Sequence, residues 1–126
     1  MTKKTFTEFV FGKKLDLSRQ NLVDQDILAI TRFLFLHPEI KYLDLSLNNI
    51  GDRGIADFAE RNQTIIQANF SGNSIGDLGL GVFAQINQTV REVNFSYNPI
   101  SDKAIITFAE TNQTCFSTKF TTIRYH

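Results

Sequence analysis

The sequence predicts an α/β repeat solenoid, with a parallel β-sheet on its concave face and α-helices on its convex face. Three observations predict it. A segment recurs every 25 residues, each copy opens with apolar residues in strand alternation, and each then changes to helical spacing. Ile40, Leu43, Leu45 and Ile50 are answered by Ile65, Ala68, Phe70 and Ile75, and these by Val90, Val93, Phe95 and Ile100. An earlier copy, with Leu15, Leu17 and Leu22, begins at Gly12, 28 residues before Ile40. A worn fifth copy starts at Cys115, with Thr118 and Phe120 in its next two core places.

Taken in chain order, residues 1–11 form an N-terminal cap in which Phe6, Phe9, Val10 and Phe11 close one end of the stack. Repeats follow from 12, 40, 65 and 90, and residues 115–126 cap the other end with Ile123 or Tyr125, the whole 1–126 being one domain. In each repeat the fourth and sixth places alternate as a strand does. The segments around Ile55, Phe58 and Ala59, Leu80, Phe83 and Ala84, and Ile105, Phe108 and Ala109 carry the i, i+3, i+4 spacing of a helix. Asn48, Asn73 and Asn98 fill the ninth place, where a short amide suits backbone groups left unpaired as the strand bends, and Gln20 takes it in the first copy. Asp24, Asp52, Asp77 and Asp102 precede the helical runs as expected caps. Asn62, Asn87 and Asn112 end those runs, with left-handed backbone expected there. Stacking the copies buries ladders of like residues that no single copy can hide.

Apolar residues at the first, fourth, sixth and eleventh places with asparagine at the ninth resemble the leucine-rich-repeat pattern, over roughly residues 12 to 120. The helical runs resemble the ribonuclease-inhibitor type, which implies a short right-handed horseshoe arc. High Phe and Asn content and small size are similar to leucine-rich-repeat effectors that intracellular bacterial pathogens deliver into host cells. That resemblance implies action on host proteins.

Apparent signals of chemistry dissolve into the repeat. Five sequons, at Asn62, Asn69, Asn87, Asn94 and Asn112, are products of its periodicity, and glycosylation is not expected. Cys115 falls in a core place and reads as a buried structural cysteine. His37 and His126 lie in no triad or zinc spacing, and the glycines of Gly76–Gly81 suit a turn and close helix packing, not a phosphate loop. Hence no catalytic residue, metal, cofactor or small-molecule substrate is expected.

The net charge is zero, with 13 basic and 13 acidic residues dispersed, so no nucleic-acid footprint exists. Lys3 and Lys4 run into polar sequence, unlike a secretory signal, and the longest apolar run, Phe33 to Leu36, is far shorter than a membrane span. A lone cysteine fits a reducing compartment. The expectation is a cytoplasmic monomer, or one delivered into a host cell, with no membrane contact.

What varies from copy to copy lies between the core places. The candidate partner-binding residues are Lys14, Asp16, Arg19, Tyr42, Asp44, Leu47, Gln67, Asn69, Glu92, Asn94 and Tyr97 on the concave face and its adjoining loops, with Gly72 leaving a notch between Leu47 and Tyr97. Five strands at ~4.8 Å spacing expose a face on the order of 20 by 16 Å, under the ~800 Å² per partner of a standard interface. The function expected is a non-enzymatic scaffold binding a protein or peptide through that face and flanking loops. The alternative is a structural or regulatory repeat segment that self-associates or belongs to a larger assembly.

Overall fold

The computed structural model describes residues 5–121. Strands β1 (Val10–Phe11), β2 (Lys14–Asp16), β3 (Tyr42–Asp44), β4 (Gln67–Asn69), β5 (Glu92–Asn94) and β6 (Ser117–Lys119) form one sheet in sequence order. From β2 onward the pairing is parallel and joins equivalent places of successive copies: Leu15 pairs with Leu43, Leu43 with Ala68, Ala68 with Val93, and Val93 with Thr118. Between strands the chain returns through α1 (Ile27–Leu36), α2 (Asp52–Arg61), α3 (Asp77–Ile86) and α4 (Asp102–Thr111), which lie as a second layer. The sheet has one strand more than the repeats supply, because β1 folds back antiparallel onto β2.

The core lies between the layers. Leu15, Leu43, Ala68 and Val93 are buried from the strands, and Ile55, Phe58 and Ala59 from α2, as their alternating and i, i+3, i+4 spacings require. Phe70, Phe95 and Phe120 stack with ring centroids 5.7 and 5.9 Å apart, and Phe58, Phe83 and Phe108 meet that column edge-on from the helices. Each such aromatic pair contributes about 0.5–1.5 kcal/mol beyond burial. Packing thins toward the C-terminus: α4 buries only Phe108, and every residue of β6 is exposed.

Asparagines of the ninth place stitch each coil to its predecessor. Asn73 Oδ1 accepts the Ile50 N–H at 2.9 Å, while its Nδ2 donates to the Leu45 and Phe70 carbonyls. Asn98 repeats the pattern with Ile75, Phe70 and Phe95, and Asn48 does so with Leu22, Leu17 and Leu45.

Four expectations need correction. Among the N-terminal residues, Phe6, Phe9 and Val10 pack against the core, but Phe11 sits on the edge strand and is 63% exposed. The aspartates do not hydrogen-bond their own helices: Asp24 accepts the Gly51 N–H at 2.7 Å, Asp52 that of Gly76 at 2.7 Å, and Asp77 that of Ser101 at 2.8 Å. Each carboxylate thus bridges to the start of the next coil's helix, because the parallel stack brings that N–H closer to it than any N–H of its own first turn. Among α1 to α4, Ser101 alone caps its own helix with its side chain, accepting from the Ala104 N–H. Asn62, Asn87 and Asn112 keep extended-type backbone, with φ of −68°, −59° and −67°. Their side chains end the helices instead; Asn62 Oδ1 accepts the N–H groups of Thr64 and Ile65. Finally, Cys115 is half-buried and not enclosed, and among the described residues no further coil covers the fifth copy. Ile123, Tyr125 and His126, like Lys3 and Lys4, lie outside the described residues.

Candidate functional site

On the sheet face, the positions flanking the buried middle residue of each strand line an open groove of about 580 Å³. It brings together Lys14 of β2, Tyr42 and Asp44 of β3, Gln67 and Asn69 of β4, and Glu92 and Asn94 of β5, and adds Ser117 and Lys119 of β6. Register explains the grouping, since Lys14, Tyr42, Gln67, Glu92 and Ser117 are successive partners, as are Asp44, Asn69, Asn94 and Lys119. The sequence spacing already puts Lys119 in the column of Asp16, Asp44, Asn69 and Asn94, and Ser117 in that of Lys14, Tyr42, Gln67 and Glu92.

The inner column does structural work as well. The Oδ1 atoms of Asp16, Asp44, Asn69 and Asn94 accept the N–H two residues on, from Ser18, Ser46, Ser71 and Ser96, which closes the turn after each strand. Asp44 also meets the Lys14 ammonium at 3.9 Å. Asp16 lies outside the groove lining: the Ser18 hydroxyl donates to its carboxylate at 2.7 Å and holds its pKa below the ordinary value.

Arg19, Leu47 and Tyr97 are not in the groove. They occupy the eighth place of their copies, where backbone φ is +57°, +58° and +59°, and the fourth member of this set, Gly72, has φ +69°. Here the chain leaves the strand in the left-handed region, costing a side-chain-bearing residue roughly 1–2 kcal/mol and glycine nothing. Arg19 and Leu47 line a separate shallow depression with Asn21, Asn48, Asn49 and Gly72. Tyr97 stands 54% exposed beyond it. The expected notch at Gly72 is filled: Leu47 Cδ2 lies 2.7 Å from where a Cβ on Gly72 would be.

Elsewhere, reactive groups are tied up. The Cys115 thiol donates to the Val90 carbonyl at 3.1 Å, and burial pushes its pKa up to about 11 despite the opposing pull of Arg91 and Asn87. A thiol so held is a poor nucleophile at neutral pH. His37 lies tilted against Phe33 with ring centroids 4.2 Å apart and contacts Glu39 at 3.4 Å. Among the described residues no group of three or more His, Cys, Asp or Glu side chains is placed to hold a metal ion. No helix among them is long and apolar enough to cross a membrane.

The fold, with its in-register parallel sheet, asparagine ladder and outer helices, is a leucine-rich-repeat solenoid. Residues 38–59 and 87–109 match a family model described as Leucine Rich repeat, in agreement with the fold. No curated protein sequence matches the chain. Solved structures similar to it include leiomodin-1 actin-binding site 2, at 18% identity and TM-score 0.72, covering 86% of this chain and 69% of that one. Another is a chain from the Chaetomium Mex67:Mtr2 subunits, at 15% identity and TM-score 0.74, covering 95% and 88%. At these identities the likeness speaks for the fold alone.

Proposed function

We propose that this chain is a protein-interaction scaffold that holds a protein or peptide partner on its concave sheet face and adjoining loops. The observation that carries the reading is the groove itself. Its lining changes character from coil to coil, through Lys14, Tyr42, Gln67 and Glu92, while the buried places beside it repeat. Packing demands the repeats but does not account for the variation. Left-handed backbone at Arg19, Leu47 and Tyr97 adds to this, because glycine at those places would be strain-free, as Gly72 is. Leucine-rich-repeat domains in general are protein-interaction modules, and one structural neighbour is named for binding actin. The chain works as a monomer by binding alone, without catalysis, cofactor, nucleic acid or membrane. Within this reading it is of the ribonuclease-inhibitor-like subclass and is a cytoplasmic protein or a bacterial effector acting on host proteins.

The test is a pull-down from cell lysate with wild type and a Tyr42→Ala/Tyr97→Ala double variant. Wild type is expected to retain partners that the variant loses, and equal recovery of every partner overturns the concave-face assignment. A second reading, a structural segment that self-associates, draws support from the fully exposed β6 and the 74% exposed Phe116 beside it. A molar mass independent of concentration rules that reading out.

A further inference from the structure

The first coil is three residues longer than the others, 28 from Gly12 to Ile40 against 25 from Ile40 to Ile65. The structure places the extra length in the helix. Helical backbone runs from the 3-10 turn Asp24–Asp26 through α1 to Leu36, whereas α2, starting at the equivalent Asp52, ends at Arg61. In α2, α3 and α4 an asparagine follows the last turn, and its Oδ1 accepts the N–H three residues ahead, which ends the helix. In α1 that place belongs to Leu34, which is buried, so the helix continues through Phe35 and Leu36 until the residues before Pro38 stop it.

The added turn overhangs the end of α2. Phe35 is 63% exposed, Leu36 72% and Leu28 42%. With Arg32 they follow an i, i+4, i+7, i+8 spacing, so they share one face of α1. That face and Glu60, Arg61 and Gln63 line an open groove of about 630 Å³ on the helical layer. The Arg32 and Arg61 guanidinium groups, one from each wall, meet no carboxylate within ion-pair distance among the described residues. Three large apolar side chains left in water beside two unpaired cations are not explained by the packing of the solenoid.

We propose that this groove docks an amphipathic helix of a partner protein that carries acidic side chains along one flank. The occupant is a helix because the walls are helices whose backbone groups are already bonded. An extended peptide would find no partners there for its own N–H and C=O groups, whereas a helix satisfies these internally and offers only side chains. It is acidic because Arg32 and Arg61 outnumber Glu60 on the rim, and a carboxylate can take a guanidinium by two parallel hydrogen bonds. The surface belongs to the helical layer, so this inference is independent of the concave-face reading.

The experiment selects a displayed library of helix-forming peptides on the full chain and measures the winning peptides by fluorescence anisotropy. Winners are expected to carry Leu or Phe at i, i+3 or i+4, and i+7, with Glu or Asp beside them. Arg32→Glu/Arg61→Glu and Phe35→Ser/Leu36→Ser are each expected to weaken the winners about tenfold or more. Tyr42→Ala/Tyr97→Ala is expected to leave them unchanged. Because the substituted side chains are exposed, both groove variants should melt as wild type does, and circular dichroism checks this. A selection that enriches no acidic amphipathic peptide, or winners that bind both groove variants as tightly as wild type, overturns the proposal. So does flotation with phosphatidylserine-containing vesicles that disappears in Phe35→Ser/Leu36→Ser, which identifies a membrane surface as the occupant. A concentration-dependent dimer lost in the same variant identifies a second copy and likewise overturns it.

Discussion

A single asparagine per coil carries much of the coupling between coils. Asn73 is the partner of the buried Ile50 N–H and shares the carbonyls of Leu45 and Phe70, which belong to two different coils, with the Nδ2 groups of Asn48 and Asn98. Asn73→Ala leaves the Ile50 N–H buried without a partner, at about 1–3 kcal/mol, while the two carbonyls keep one donor each. The expected loss, on the order of 2 kcal/mol, is read from urea denaturation, and a loss below that of an exposed Asn49→Ala control contradicts the stitching role. The carboxylate of Asp77 makes a second, titratable link. Hydrogen bonds from the Ser101 hydroxyl and then its N–H hold its pKa below the ordinary value. A depressed carboxyl pKa stabilises the fold above the ordinary value, and that stability is lost as pH falls through the depressed one. Ser101→Ala removes the larger of the two causes, so the Asp77 pKa should rise toward normal in an NMR titration. An unmoved titration excludes the hydroxyl as the cause.

At the scale of elements, helix spacing is set by what stands at the third residue of each helix. A Cβ added to Gly79 of α3 would lie 2.6 Å from Asp52 Oδ1, 2.7 Å from Ile55 Cγ2 and 2.8 Å from the Asp52 backbone. Glycine there lets α3 approach α2 backbone to side chain. In α4 the same place holds Ala104, and an open groove of about 360 Å³ lined by Gly81, Lys103 and Ala104 lies between α3 and α4. Gly79→Ala is therefore expected to push α3 away from α2 and cost about 1–3 kcal/mol by overpacking. Chemical denaturation measures it, and a variant as stable as wild type shows that the close approach is not required. The length of the whole helical run is the other element-scale variable, and the first coil, whose 3-10 turn Asp24–Asp26 and α1 continue past the place of the terminating asparagine, departs from the rest.

Over the whole molecule, the phenylalanine columns tie coils three to five into one packed unit. Phe95 is 1% exposed and touches Phe70, Phe83, Phe108 and Phe120. Phe95→Asp removes that aromatic packing, worth about 3–5 kcal/mol for Phe→Ala alone, and adds a buried charge. Amides of α4 should lose hydrogen-exchange protection first, while those of α1 and α2 keep theirs, as expected of a stack whose coils contact only their neighbours. An unchanged melting transition counts against the columns as the main cohesion of this end.

The sequence by itself determined the coil: the 25-residue register, the strand and helix of each copy and the buried ladders. These follow from periodicities of 2 and 3.6 that each segment carries locally. Only the tertiary structure decided what depends on how one coil sits over the next. Stacking sent the carboxylates of Asp24, Asp52 and Asp77 to a neighbouring helix instead of their own. It divided the candidate binding residues between the groove and the left-handed corners at Arg19, Leu47 and Tyr97. It also turned three additional residues of the first coil into an apolar overhang at Phe35 and Leu36. For the carboxylates the deciding contact lies 24 or more residues away in the chain, beyond the reach of any local pattern.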